Sequence, residues 1–538
     1  MSLLLLLLSC GPTLTPAEAP TAQPSALERL PPAQRLRRLS LDLLGVLPDP
    51  EDLDTITANP SAWQSLREQY LADPRFEERL VHLFAERWRT RVDVFDVVYQ
   101  DFGMDPDEEY TYEKSVGEEP LRLLARVAAN DRPWTDIVTT DMTMANEVLG
   151  DIWPVSYPDD GQGWVESHYT DERPPAGVLA TNGLWWRYTT TNGNMNRGRA
   201  AAISRLLLCE DYMARPISLA NQDEPLDISA SAIQTNPYCM SCHSSLDPIA
   251  ASLFGFWWMA LYSPPEEIRY HPEREPLGPV YLATDPAWFG APMSGLADLG
   301  WQVATDPRFY SCAVESMAES LWHRPVHNQD HATLDAIRED FIDQGTLLKD
   351  LIRSLTDTDV YQAGRTHAEQ DPSAQDRENT RRMMSPDQLM VTLRSLTGFD
   401  WTTGGYEQLA NDTVGYRVLG GGADGRTVVT AQTSPSLTWL LVFKRAAQGA
   451  ASRAVQRDLE EGQMRLFTYV DLDSQPGEEA FSAELAQLHW RLLSQELEAT
   501  RQSELEALWR EVASLEGPAS AWRSVLTVLF RDPYFLTY

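Results

Sequence analysis

Apolar side chains recur at helical spacing through most of this chain. Between residues 33 and 47 they include Leu36, Leu39 and Leu43, a period that predicts an amphipathic helix ended by a proline-rich segment. Comparable periods predict helices at 52–71, 75–92, 119–130, 199–209, 239–253, 296–303, 310–322, 331–344, 347–357, 478–515 and 522–530. Segments 151–173 and 264–292 are interrupted by Gly and Pro and predict irregular loops. The fold class predicted is mainly α, with long irregular loops.

The length and the breaks in the pattern predict several domains. The chain has 538 residues, more than the roughly 250–300 at which a single core stops growing. Residues 363–380 are polar, charged and free of aromatic residues, which predicts a linker. The predicted units are an N-terminal helical domain at 33–150, a second helical domain at 151–362 and a C-terminal helical domain at 381–538.

The composition of the chain narrows the classes of molecule that it is expected to bind. The formal net charge is −35, and the acidic residues are spread along the chain. A surface of this sign repels nucleic acid, so no nucleic-acid partner is expected. Solubility alone explains most of the charge. Hydrophobic residues make up 43% of the chain, enough for sizeable cores.

The first residues predict export and lipid anchoring. Residues 1–9 are nearly all leucine and run into Cys10, a pattern that resembles a bacterial lipoprotein signal with Cys10 as the acylated residue. No Lys or Arg precedes the leucines, which departs from the usual signal. Gly11 follows where an inner-membrane retention signal would have Asp, which favours the outer membrane, facing the periplasm or the cell surface. Residues 11–32 are rich in Pro and Ala and predict a tether.

The strongest chemical signal is the pentapeptide Cys239-Met240-Ser241-Cys242-His243. Two thiols one helical turn apart can add to the two vinyl groups of a porphyrin, and the histidine that follows can bind the iron as proximal ligand. A structural zinc site usually needs a second such pair, which the chain lacks, and a thiol redox motif usually follows a strand. We therefore expect one covalent haem c, with zinc binding and thiol redox chemistry as the alternatives.

The second axial ligand of the iron is less well defined. Met293 lies in a turn-rich loop downstream of His243, the arrangement that small monohaem cytochromes use, and is the first candidate. Met195, in a Gly- and Asn-rich loop upstream, is the weaker one. His168 and His271 also lie in irregular loops, and an open site is a further alternative.

The remaining cysteines predict a disulfide. With Cys10 assigned to lipid and Cys239 and Cys242 to haem, Cys209 and Cys312 are left, and two leftover cysteines in an oxidising compartment usually pair. The alternative is that both are buried, reduced and unrelated.

Other polar residues are interpreted structurally. Asp247-Pro248 is expected to shape the turn that leaves the haem helix. His323, His327 and His331 are expected at the surface, because Pro325 interrupts the helical spacing that a metal site would need.

Several blocks resemble one known family. Residues 236–249 resemble the C-x-x-C-H-x-x-x-D-P-hydrophobic block of the planctomycete-type cytochrome c proteins, which are large, secreted and built of domains of unknown function. Residues 38–48 and 141–146 resemble the family blocks R-x-x-x-D-L-x-G-x-x-P and D-Y-T-F-V-N, and 525–536 resembles a terminal helix ending S-P-E-F-L. Residues 252–258 depart from the family, which has a more acidic stretch there. The resemblance implies an exported, helix-rich cytochrome without a known reaction.

Two functions of different class follow. The first is an exported, lipid-anchored monohaem c-type cytochrome that transfers single electrons. The second is a haem-dependent oxidoreductase that acts on an extracellular substrate. The size of the chain favours the enzyme, whereas the single haem motif and the absence of a recognisable catalytic motif favour the carrier. The sequence names neither the redox partner protein nor the oligomeric state.

Overall fold

A computed structural model describes residues 27–215, 232–257, 264–366 and 382–538. Helices dominate this part of the chain, which confirms the mainly α prediction. The helices are α1 Pro32–Leu43, α2 Pro50–Ala58, α3 Trp63–Ala72, α4 Arg75–Trp88, α5 Glu109–Ala129, α6 Asp136–Thr139, α7 Glu147–Ile152, α8 Asn182–Arg187, α9 Arg197–Leu207, α10 Ala232–Thr235, α11 Pro237–Ala251, α12 Pro264–Glu267, α13 Leu277–Leu282, α14 Leu296–Thr305, α15 Pro307–Trp322, α16 His331–Asp343, α17 Leu348–Thr356, α18 Asp359–Gln362, α19 Pro386–Thr397, α20 Leu437–Val455, α21 Glu479–Leu493, α22 Ala499–Glu516, α23 Pro518–Phe530 and α24 Pro533–Leu536.

Local sequence explains where these helices begin and end. α19 is a clear example. Ser385 accepts a hydrogen bond from the Gln388 backbone N–H, and the Gln388 side chain accepts one from the Ser385 backbone N–H, a reciprocal cap that closes the first turn. Pro386 occupies the first helical position, and Gly398 ends the helix in the left-handed conformation that glycine adopts without strain.

Strands are few and short, and they pair in antiparallel twos. They are β1 Leu27–Arg29, β2 Met142–Ala145, β3 Val165–His168, β4 Ala287–Trp288, β5 Ala291–Pro292, β6 Ala363–Thr366, β7 Thr402–Thr403 and β8 Tyr406–Glu407. The pairs are β1 with β6, β2 with β3, β4 with β5 and β7 with β8.

Two of these pairs lie in segments without a predicted strand. β1 falls within the predicted tether at 11–32 and pairs with β6, which falls within the predicted linker at 363–380, and α1 begins at Pro32. The predicted loop at 151–173 contains β3, which pairs with β2 in a four-residue register. Each strand is too short to show an alternating pattern on its own, so only the partner across the chain defines it.

The first core is shared by the two predicted N-terminal units. Apolar side chains from 33–150 and from 151–362 belong to one contiguous buried cluster, in which Leu36 of α1 and Leu253 after α11 are both fully buried. α5 contributes many buried residues to this first core. It begins at Glu109, ten residues before the predicted start, and continues through Pro120. Most of its residues are buried, and this packing outweighs the cost of a proline inside the helix.

A second core belongs to the C-terminal unit. It is formed mainly by α19 to α24, with Leu41 and Leu47 reaching into it from the first unit. A buried polar cluster lies at the junction. Asp42 Oδ1 accepts hydrogen bonds from His323 Nε2 at 2.9 Å and from the Tyr538 hydroxyl at 3.1 Å.

His323 is therefore not the surface residue that the sequence predicted. Burial lowers the pKa of His323 to about 4, although the facing Asp42 carboxylate opposes that shift. The imidazole is neutral at neutral pH and still donates to Asp42. This pairing joins α1 to the end of α15, a contact between residues far apart in sequence.

Candidate haem attachment site

The C-x-x-C-H segment lies in the first two turns of α11. The Asn236 side chain accepts a hydrogen bond from the Tyr238 backbone N–H, and Pro237 occupies the first helical position, so the helix starts just before the motif. Residues three apart on a helix share one face, which places Cys239 and Cys242 on the same side of α11. The spacing prediction of a helix here is confirmed.

Both motif thiols are free and partly exposed. The two apolar neighbours on the same turns are also uncovered, Tyr238 at 44% exposure and Met240 at 42%. Thiols that must react with a porphyrin have to be reduced and reachable, and a large apolar cofactor covers apolar side chains. The residues present therefore fit a haem attached at this helix.

His243 is oriented by a buried carboxylate. Its Nδ1 lies 2.8 Å from Asp247 Oδ1, one turn further along α11. Burial alone would raise the pKa of Asp247, but hydrogen bonds from His243 and Arg197 lower it below its ordinary value, so the carboxylate is charged and Nδ1–H donates to it. A metal-binding histidine usually has its second ring nitrogen held in this way, which leaves Nε2 for the metal.

Arg197 completes this arrangement from a neighbouring helix. At the start of α9, it donates to both carboxylate oxygens of Asp247, with Nε to Oδ1 at 2.7 Å and Nη2 to Oδ2 at 2.9 Å. Sequence reasoning missed Arg197, because the only available signal was a basic residue in a loop fifty positions upstream of its partner.

The interpretation of Asp247-Pro248 as a turn is wrong. α11 continues through Pro248 and ends at Ala251. Pro248 lacks a backbone N–H, so it tolerates this position only because packing holds the helix: Ile249, Ala250 and Ala251 are all buried. The role of Asp247 is to hold His243 and Arg197.

The two methionine candidates lie in connecting segments, one after the β4–β5 hairpin and one before α9. Met293 follows the β4–β5 hairpin, is buried in the first core, and its backbone N–H donates to the Pro286 carbonyl at 3.0 Å. Met195 adopts a left-handed conformation in the turn before α9 and is partly buried against the same core. β4 and α9 each contact α11. Of the two histidine alternatives, His168 has its Nδ1 3.6 Å from Asp141 Oδ2, and His271 has its Nδ1 2.9 Å from Glu273 Oε1.

The structure places Cys209 and Cys312 at disulfide distance, as the sequence predicts, with Cα atoms 5.2 Å apart. The bridge joins the end of α9 to α15. Arg87 of α4 lies beside it, its Nη2 2.7 Å from Cys209 Sγ and 3.2 Å from Cys312 Sγ. This arginine contact was not predicted.

Two negative findings hold for the described residues. No group of three or more His, Cys, Asp or Glu side chains converges there as a metal site would require. No helix in that part of the chain combines the length and apolar character needed to cross a bilayer. Cys10 and the leucine run lie outside the described residues, so lipid anchoring stays a prediction.

These features define a class: a mainly helical protein with a capped helix that carries C-x-x-C-H and a carboxylate-held histidine. Residues 17–121 match the family model described as PSCyt2, protein of unknown function (DUF1549). The N-terminal part of the chain is thus similar to a planctomycete cytochrome-associated domain of unknown function. The match ends well before Cys239. No curated protein and no solved structure matches the chain.

Proposed function

We propose that this chain is an exported, lipid-anchored monohaem c-type cytochrome that transfers single electrons. One haem c is bound through Cys239 and Cys242, with His243 as the proximal ligand. The observation that carries the proposal is the start of α11, where two free thiols on one face precede a histidine whose Nδ1 is already bonded to Asp247.

When bound, the haem supplies an iron that cycles between two oxidation states. The chain supplies the groups that attach the haem and orient its proximal ligand. Cys239 and Cys242 fix the orientation of the group on the helix, and Asp247 accepts the hydrogen bond from Nδ1 of His243, which leaves Nε2 to face the iron. Arg197 keeps Asp247 ionised, and the histidine therefore remains oriented in both redox states.

A methionine is proposed as the second axial ligand, with Met293 ahead of Met195. A thioether raises the potential of the iron and suits an electron carrier. Met293 follows the β4–β5 hairpin and Met195 precedes α9, and β4 and α9 each contact α11.

The proposed location at the outer membrane rests only on the leucine run at residues 1–9 and on Cys10. Cys10 is proposed as the acylated N-terminus of an outer-membrane lipoprotein, with the redox partner protein still to be identified. The net charge of −35 disfavours nucleic acid as a partner.

The test is covalent haem attachment in a strain with a cytochrome c maturation system. We expect a denaturing gel to give a haem-stained band at the mass of the chain, and the stain to be lost in Cys239→Ala/Cys242→Ala. The matched control is Cys209→Ser/Cys312→Ser, which removes the other two described cysteines and should keep the stain. An unstained band from the unaltered chain would overturn the proposal.

The visible spectrum of the same preparation separates carrier from enzyme. Low-spin, six-coordinate bands with a methionine–iron charge-transfer band support the carrier, and that band should vanish in Met293→Leu but persist in Met195→Leu. Leucine has a similar volume, so the core is kept. A high-spin spectrum that changes with carbon monoxide instead favours the haem-dependent oxidoreductase.

A further inference from the structure

The C-terminal unit carries an apolar patch that no described part of the chain covers. We define the leucine patch as Leu437, Leu440 and Leu441 on the first turns of α20, with exposures of 74%, 46% and 58%. The opposite face of the same helix is buried in the second core, where Trp439 packs on Phe443 with ring centroids 4.2 Å apart. The helix is therefore held in place by one face while the leucine patch points outward.

The helix start is itself well formed. The Ser436 side chain accepts a hydrogen bond from the Trp439 backbone N–H, which caps the turn that presents Leu437 and Leu440. A fixed helix loses little conformational entropy when its exposed side chains are buried against another surface.

The sequence segment that carries the leucine patch has a formal charge opposite to that of the whole chain. No Asp or Glu occurs between Asp424 and Asp458, although the chain has 79 acidic residues. The same interval carries five basic residues, which are Arg426, Lys444, Arg445, Arg453 and Arg457. Arg426, Arg453 and Arg457 pair with Asp96, Glu461 and Asp458. Within the described chain, Lys444 is exposed without a carboxylate in ion-pair distance, and Arg445 bonds the Tyr416 hydroxyl at 3.0 Å.

We propose that the leucine patch and the adjoining Lys444 and Arg445 dock onto an anionic lipid surface. Three leucines at positions i, i+3 and i+4, followed one turn later by basic side chains, give an interfacial helix whose apolar face enters the acyl boundary while the cations meet phosphate groups. If the patch packed against the same patch of a second copy, Lys444 and Arg445 of the two copies would face each other with like charge, whereas an anionic lipid surface satisfies the leucines and the cations together. The proposal needs neither haem nor acylation at Cys10.

The experiment uses residues 11–538, which lack the leucine run and Cys10 but keep every described residue. Sedimentation with vesicles of phosphatidylglycerol and phosphatidylethanolamine is compared with phosphatidylcholine vesicles. We expect binding to the anionic vesicles only, weakened by salt. Leu440→Asp/Leu441→Asp should lower the partition coefficient at least about tenfold, and Lys444→Gln about fivefold.

The matched control is Leu515→Asp, because Leu515 is 78% exposed on α22 and outside the patch. It should bind like the unaltered chain, and circular dichroism should be unchanged in all variants. Equal binding by the double variant and the control would overturn the proposal, as would binding that ignores lipid charge. Loss of a dimer in the double variant, with no vesicle binding by any form, would assign the patch to a second copy and also overturn it.

Discussion

Cys209 and Cys312 are separated by 103 positions and meet in space, whereas Cys239 and Cys242 lie one helical turn apart and remain free thiols. The first pair joins two elements of the core, α9 and α15. The second pair lies on one partly exposed face of a single helix, α11. The two pairs thus differ in where their partners come from: another part of the chain for the first pair and, under the proposed function, a porphyrin outside the chain for the second.

Helix geometry explains the difference. Side chains three apart on a helix have Cβ atoms about 5–6 Å apart, but a disulfide requires about 3.5–4.5 Å. This spacing agrees with Cys239 and Cys242 being free thiols in α11. Asn236 caps the helix and its far end is buried, so the two thiols that the proposed haem attachment uses are held on one helical face.

The largest expected effect is a loss of folding stability when the Cys209–Cys312 bond is removed. Cys209→Ser/Cys312→Ser opens a loop of about a hundred residues and should lower the free energy of unfolding by about 4–5 kcal/mol in the chain-entropy model. Urea unfolding of the purified chain measures this, with the unaltered chain in reductant as the control. The haem content should not change, and a loss below about 1 kcal/mol would contradict the expectation.

The sequence was sufficient to predict features that depend on residue spacing or on the number of cysteines. The helical period predicted most helices within a few residues, for example α16, predicted at 331–344 and found at His331–Asp343. Counting cysteines predicted which two would pair. Residue spacing predicted that the motif lies on a helix.

What it missed depends on contacts between distant residues. Arg197 reaches Asp247, Arg87 reaches the disulfide, and β1 pairs with β6 across most of the first unit. Pro248 was misinterpreted for a related reason, since its tolerance inside α11 comes from packing that no local pattern reveals. Local sequence patterns predict helices and strands. Tertiary packing then determines where a helix tolerates a residue, such as proline, that would ordinarily end it.

A smaller effect should follow from Asp247→Asn, which keeps the shape of the side chain but removes its charge. The variant leaves the partly buried Arg197 without its carboxylate, so we expect a loss of about 3 kcal/mol in unfolding free energy at pH 7. Urea midpoints measure it, and the matched control is Asp335→Asn. Asp335 pairs with Arg338 at 3.0 Å on the surface, so its loss should be below about 1 kcal/mol.

The pH dependence sharpens this prediction. The pKa of Asp247 is lower in the folded chain than in the unfolded one, so its contribution is complete above the unfolded value of about 3.9 and is lost as pH falls through the folded value. The difference between the unaltered chain and Asp247→Asn should therefore shrink below about pH 4. A difference that stays constant down to pH 2.5, or grows, would rule out the charge as its cause.

The smallest effect concerns how easily the bonded pair is reduced. Dithiothreitol reduces the Cys209–Cys312 bond to two thiols and is itself oxidised to a cyclic disulfide, so the ratio of the two forms gives an equilibrium constant. Arg87 Nη2 lies within hydrogen-bond distance of both sulfurs. A guanidinium there stabilises a thiolate more than a neutral disulfide sulfur, so it favours the reduced pair.

Arg87→Gln should therefore make the bond harder to reduce, with an equilibrium constant about tenfold lower, which corresponds to about 30 mV for two electrons. Arg338→Gln is the matched control, because Arg338 donates to the hydroxyl of Ser311, next to Cys312, rather than to a sulfur. Equal constants for the two variants would mean that the guanidinium does not act on the sulfurs. The expected result would instead separate the two cysteine pairs by electrostatics as well as by geometry: one pair is bonded and has a neighbouring cation that favours its reduction, and the other consists of free thiols on one face of a helix.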